Sequence, residues 1–234
     1  MPVPAVFLRD QLYGDPPLAR MIRAGRADVR LGVYLCLLAR ATRAPFDVRH
    51  NLTPAAWAEM LRIKDPKGKG ARRVTSAFKW LEKERLVTLQ RRAGRPPLVQ
   101  LMDPAGSGGP FETGGYWVQV PHEFWLRGWI FSLRETSQAV LLALLDLLYK
   151  ADAPRFVTPE RHDEYGLSDD TWTRGIRDLS ECKLLTVRRV PIGDDWHYDR
   201  LRNTYSIDMR RLGDSPGGRK KRQPQPTEPP NPFS

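Results

Sequence analysis

The sequence predicts a mainly α-helical fold with small β-hairpins, an α+β chain built from two tandem units of one design. A shifted internal repeat, a change of hydrophobic period at the same point in each copy, and enough apolar material for real cores carry that prediction. The repeat appears when Thr53-Pro54 is laid on Thr158-Pro159, which brings Glu59-Met60 onto Glu164-Tyr165 at an offset of 105. Further on, Val74, Phe78, Leu81, Leu86, Val87 and Thr88 fall on Trp172, Ile176, Leu179, Leu184, Leu185 and Thr186, now at an offset of 98. The first copy therefore carries seven extra residues, placed in the Gly/Pro-rich stretch Lys64 to Gly70, where insertion into a turn costs little. A hydrophobic fraction of 41% with 7 Trp, 7 Tyr and 8 Phe argues against global disorder.

Each copy begins with a helix, apolar at Leu31, Tyr34, Leu35 and Leu38 in the first and at Val140, Leu144, Leu147 and Leu148 in the second. A short helix follows each Thr-Pro pair, with Thr as the N-cap and Pro at the first helical position. A third helix places Val74, Phe78 and Leu81, or Trp172, Ile176 and Leu179, at i, i+4 and i+7. In the second copy Ser168, Asp169 and Asp170 mark its start by capping and by charge opposite to the helix dipole. The period then switches to 2. Residues 86–91 read as a strand, 92–97 as a turn and 98–101 as the returning strand, and the second copy repeats this from Leu184 to Val190 with a return near 204–207. Three helices followed by a β-hairpin is the order of a winged helix-turn-helix.

The expected organisation is an N-terminal unit over 1–103, a flexible Gly/Pro-rich linker over 104–115, a C-terminal unit over 116–212 and a disordered, basic, Pro-rich tail over 213–234. Residues 116–120 read as a strand and 121–129 as a short aromatic-rich helix at the front of the second unit. No apolar run approaches the ~20 residues of a membrane span, and the N-terminus lacks the pattern of a signal peptide. A cytoplasmic location is expected. Cys36 and Cys182 are far apart, lack any Cys-x-x-Cys spacing, and read as inert buried thiols.

A formal charge of +11 and a pI near 10.0 favour a polyanionic partner, with nucleic acid the default. The excess is local. From Arg62 to Arg95 there are 12 Lys/Arg against 3 Asp/Glu, a net of +9. Opposite the apolar stripe of the first copy's third helix lie Arg72, Ser76, Lys79 and Lys83, flanked by Arg73 and Thr75. Long cations with short hydroxyls suit a helix in the major groove, while a solvated charged face is the plainer alternative. The hairpin adds Arg91, Arg92 and Arg95 for the backbone or an adjacent minor groove.

From Val157 to Arg202, by contrast, 8 Lys/Arg meet 10 Asp/Glu, a net of −2. On its third helix Arg174 and Arg177 are candidates for reading bases, but Asp170 and Glu181 would repel phosphate. This unit either binds DNA more weakly or serves a partner or a second copy. The tail cluster Arg219 to Arg222 reads either as a DNA-tracking arm or as a solubilising end.

The two copies, over roughly Val29 to Met209, resemble tandem winged helix-turn-helix proteins, among them plasmid and phage replication initiators and bacterial winged-helix transcriptional regulators. The stretch Tyr165-Gly166-Leu167-Ser168-Asp169-Asp170-Thr171 is similar to the turn entering a recognition helix in such regulators. The resemblance implies binding of double-stranded DNA at repeated or palindromic sites and leaves a homodimer open. The acidic second unit departs from the initiator pattern.

No catalytic constellation emerges, and neither an enzyme, a cofactor nor a metal is expected. Gly68-Lys69-Gly70 lacks the full phosphate-loop spacing, and His50, His122, His162 and His197 form no metal-ligand pattern. Tyr165, Tyr198 and Tyr205 are available as nicking nucleophiles, but no neighbouring His cluster would hold the metal. Three functions follow: a transcriptional regulator, a plasmid or mobile-element replication initiator, and an adaptor whose winged helices bind protein.

Overall fold

The computed structural model describes residues 1–9, 15–148, 153–191 and 201–216. It begins with strand β1 (Pro2–Pro4), a single helical turn α1 (Ala5–Leu8) and helix α2 (Pro17–Arg23). Helix α3 (Ala27–Arg40) is the leading helix of the first copy, and it is buried almost without a break from Val29 to Leu38, as expected of a helix apolar on all sides. Strand β2 (Asp47–Val48) precedes α4 (Pro54–Met60), whose first turn is held by the Thr53 hydroxyl accepting the Ala56 N–H at 3.2 Å.

The seven-residue insertion is ordered. Asp65 adopts a left-handed conformation and its carboxylate accepts the Lys69 N–H at 2.7 Å, closing a π-helical turn over Pro66–Gly70. A Cβ at Gly70 would lie 2.8 Å from the Asp65 carbonyl oxygen, so only glycine fits where this turn runs directly into α5 (Ala71–Lys83). Helix α5 buries Val74, Ala77, Phe78 and Leu81.

Strands β3 (Val87–Arg92) and β4 (Arg95–Leu101) form the hairpin. Its turn is tighter than the sequence reading, since Ala93 and Gly94 alone make it, with Gly94 at φ +66°. Pro96 and Pro97 lie in β4. Because β2 pairs only with Val99 and Gln100, and the β3 register shifts between Gln90 and Arg92, the prolines sit where the ladder demands least of their missing N–H groups.

The second copy follows as β5 (Trp117–Gln119), α6 (Glu123–Leu126), α7 (Trp129–Ser132), α8 (Glu135–Leu147), β6 (Arg155–Phe156), α9 (Pro159–Asp163), α10 (Asp169–Glu181), β7 (Leu185–Pro191), β8 (Leu201–Ile207) and α11 (Met209–Leu212). Thr158 and Ser168 cap α9 and α10, accepting the N–H groups of Arg161 and Thr171 at 3.3 Å each. The two three-stranded antiparallel sheets have the orders β2-β4-β3 and β6-β8-β7, so the element order and strand order of the copies agree. A Cβ at Gly175 of α10 would lie 2.5 Å from Val140 Cγ2 of α8, and this close approach brings Ser137 to donate to buried Asp178 at 3.0 Å.

The first strand reaches across the expected boundary between the units. Strand β1, assigned to the first unit, pairs antiparallel with β5 of the second, Val3 opposite Val118. Arg9 then donates to the Asp146 carboxylate of α8 at 2.6 Å, and the buried Tyr165 hydroxyl donates to the same carboxylate at 2.7 Å. Burial works against the Arg9 charge, but Asp146 more than restores it and the guanidinium pKa is raised. One contiguous hydrophobic core runs through both copies.

Residues 104–115, rich in glycine and proline, form a hydrogen-bonded loop. The N–H of Gly106 donates to Asp103 O at 2.9 Å, Met102 bridges to Pro110, and Phe111 is buried between Phe46 and Trp117. At the far end, the buried Trp129 indole donates to the Leu212 and Asp214 carbonyls at 3.0 Å each. Most of the tail expected to be disordered, and its cluster Arg219 to Arg222, lies outside the described residues.

Candidate nucleic-acid interface

Turning Val74, Phe78 and Leu81 into the core forces Arg72, Ser76, Lys79 and Lys83 outward on α5, and all four are exposed. Three clefts run together around this face. The first, about 330 Å³, lies between α5 and the hairpin, with Leu52, Phe78, Leu89 and Pro97 among its apolar walls and Lys79, Arg91, Arg92 and Arg95 lining it as well. The second, about 510 Å³, lies between the starts of α4 and α5 and is lined by Lys67, Arg72 and Ser76; Pro54 and Thr75 line both, which makes them continuous.

Asn51 holds the first cleft open. Its side chain accepts the Trp57 indole N–H at 2.8 Å and donates to the Pro97 carbonyl at 3.1 Å, tying α4 to the hairpin. The cleft is thus built before any ligand arrives, which reduces the ordering cost of binding.

The predicted residues differ in how free they are. Arg73 is paired with Asp28 at 2.5 Å, and Arg91 lies 3.6 Å from Glu82. Arg92 donates to the carbonyls of Arg49 at 3.2 Å and Pro96 at 2.9 Å, which makes it a brace of the hairpin. The Thr75 hydroxyl donates to Ala71 O at 3.0 Å within its own helix. Arg72, Ser76, Lys79, Lys83 and Arg95 have no ion pair or side-chain hydrogen bond among the described residues. Their donors are exposed to solvent.

Sequence reasoning missed the third cleft, about 120 Å³, in which Arg26 and Arg30 of the α3 start meet Arg72, Arg73 and Ser76. Arg30 lies over the Trp80 ring at 4.7 Å and donates to Gly25 O at 2.7 Å. Burial and then the neighbouring Arg26 pull its pKa down, so an anion arriving here relieves repulsion. More than 40 residues separate Arg26 and Arg30 from Arg72 and Arg73, and no local pattern links them. Lys67 was equally hidden inside what read as a turn.

The second copy is built otherwise. Arg174 and Arg177 are exposed on α10, but Arg174 is paired with Asp170 at 2.8 Å. The first turns of α9 and α10 carry Glu160, Asp169 and Asp170, whereas those of α4 and α5 carry no carboxylate. These side chains already occupy the electropositive ends of α9 and α10 with negative charge.

Among the described residues, no group of three or more His, Cys, Asp or Glu is placed to hold a metal, and no helix is long and apolar enough to cross a membrane. Burial pushes the Cys36 thiol up to about 11, which suppresses its reactivity. Tyr165 is buried against Asp146 with its pKa raised by burial, while Tyr198 lies outside the described residues. The chain matches no family model, no curated protein and no solved structure, so the reading of this interface rests on its own geometry and charge.

Proposed function

We propose that the chain is a tandem winged helix-turn-helix protein that binds duplex DNA sequence-specifically, mainly through its first unit, in the manner of a transcriptional regulator. The observation that carries this reading is the continuous cleft along α5, lined by the unpaired cations Arg72, Lys79 and Arg95. On this reading α5 enters the major groove, the hairpin is the wing, and Arg26, Arg30 and Lys67 take flanking phosphates. The order β2-β4-β3, with the return strand central, supports it because that arrangement places the hairpin beside α5.

If about five phosphates are neutralised, the logarithm of duplex affinity should fall with the logarithm of salt concentration at a slope of about −4 to −5. Anisotropy titrations across a salt series measure that slope. A value near zero would refute the proposal.

A further inference from the structure

The net charge of the second unit hides a polarity. The described acidic residues between Val157 and Arg202 all lie on α9, α10 and the turn after α9, while the three strands of its sheet contain Arg155, Arg188, Arg189 and Arg202 and no carboxylate. Strand alternation sorts these arginines. Leu185 and Val187 turn toward the core, so Arg188 and Val190 of β7, with Arg202 of β8 and Phe156 of β6 in register beside them, share the outward face. Phe156 is 48% exposed, and the Arg202 guanidinium lies over its ring at 4.8 Å.

Below this ring, β6 ends and leaves the edge of β8 open beside a groove of about 550 Å³, lined by Phe156, Glu160, Arg202, Asn203 and Tyr205. An exposed aromatic ring on a face that also carries arginines is the arrangement that stacks unpaired bases. Glu160 disfavours a phosphate in the groove itself but can accept an amino N–H of a base, and Asn203 offers both a donor and an acceptor.

We propose that the outward sheet face of the second unit binds single-stranded nucleic acid, stacking a base on Phe156 while Arg188 and Arg202 hold the flanking phosphates. This site goes beyond the duplex reading and is separate from α5. The connection 192–200, with Asp194, Asp195 and Asp199, lies outside the described residues and forms no part of it.

The test uses the full chain with fluorescent oligothymidine and, in parallel, a duplex, read by anisotropy at fixed salt. Phe156→Ala, a change at a half-exposed side chain, should weaken oligothymidine binding about tenfold, with Phe156→Tyr retaining it. Arg188→Ala with Arg202→Ala should weaken it further, and neither change should alter duplex affinity. Replacing Arg72, Lys79 and Lys83 by Ala should do the reverse.

Duplex binding without oligothymidine binding would overturn this site and leave the duplex reading standing. Loss of oligothymidine binding in the α5 triple variant would place single strands in the duplex cleft and overturn it too. So would Phe156→Ala abolishing a dimer seen by sedimentation while oligothymidine affinity holds, since the face would then seat a second copy.

Discussion

Helices α5 and α10 are both 13 residues long and turn the same i, i+4, i+7 apolar spacing toward a leading helix, yet they present opposite characters to solvent. On α5 the outward Arg72, Lys79 and Lys83 have no ion pair among the described residues, and on α10 the cations are interleaved with carboxylates, one of which, Asp170, engages Arg174. The inward spacing is what the fold requires, and the outward positions are released from it. One architecture can therefore carry two uses in one chain, and charge separates them better than topology does.

The largest expected effect would break this comparison outright. Replacing Arg72, Lys79 and Lys83 together by Ala should lower duplex affinity about a hundredfold at moderate salt and reduce the salt slope by about 2.7, because each lost phosphate contact removes about 0.9. Replacing Arg174 and Arg177 should leave general affinity within about twofold while costing about 1–3 kcal/mol of discrimination in competition with unrelated sequence. The opposite result, with the α10 pair essential and the α5 triple silent, would exchange the roles of the copies.

A smaller effect sharpens the packing side of the comparison. Position 77 in α5 is Ala and its equivalent in α10 is Gly175, where α10 presses on Val140 of α8. Gly175→Ala should destabilise the protein by about 1–3 kcal/mol in urea unfolding through overpacking. Ala77→Gly should cost about 1–2 kcal/mol, from backbone entropy together with the loss of a buried methyl. A Gly175→Ala variant as stable as the parent would mean that the two helix pairs pack at the same distance.

The smallest effect concerns pH. Trp57 of α4 is matched in α9 by His162, whose ring stacks on Trp172 at 4.3 Å and whose pKa is lowered by burial against the opposing pull of Asp169 and Asp163. In the window between the lowered folded value and the ordinary 6.5, the unfolded chain binds more protons than the folded one. Stability is therefore full above about pH 6.5 and is lost as pH falls through that window. Melting temperatures from pH 7 to 5 should fall less in His162→Phe than in the parent, and an unchanged pH profile would remove His162 as the cause.

Much of this was legible in the sequence, for reasons that can be named. The long helices, both Thr-Pro caps and both hairpins carry local signals, namely apolar period, capping oxygens and a switch to alternation. The strands β2 and β6 are two residues each, too short for any period to show. The π-helical segment reads as a plain Gly/Pro-rich turn in the sequence because its order comes from Asp65 folding back on Lys69, an interaction that glycine and proline content does not reveal. The cationic face of α5 followed from spacing alone, but Arg26 and Arg30 joined it only through tertiary packing. Burial of Phe111 by Phe46 and Trp117 was hidden by the surrounding glycines for the same reason.

The pairing of β1 with β5 sets an order of events during synthesis. Arg9 leaves the ribosome 137 residues before its partner Asp146. At roughly 5–20 residues per second, the first strand waits on the order of ten seconds for its ladder and its ion pair. Through that interval α3, α4, α5 and the first hairpin can assemble from contacts already present, with Phe7 against Tyr34, while Val3 lacks its strand partner and Arg9 its carboxylate. Folding of the nascent chain should accordingly leave β1 and the Arg9 ion pair open well after the first copy has formed.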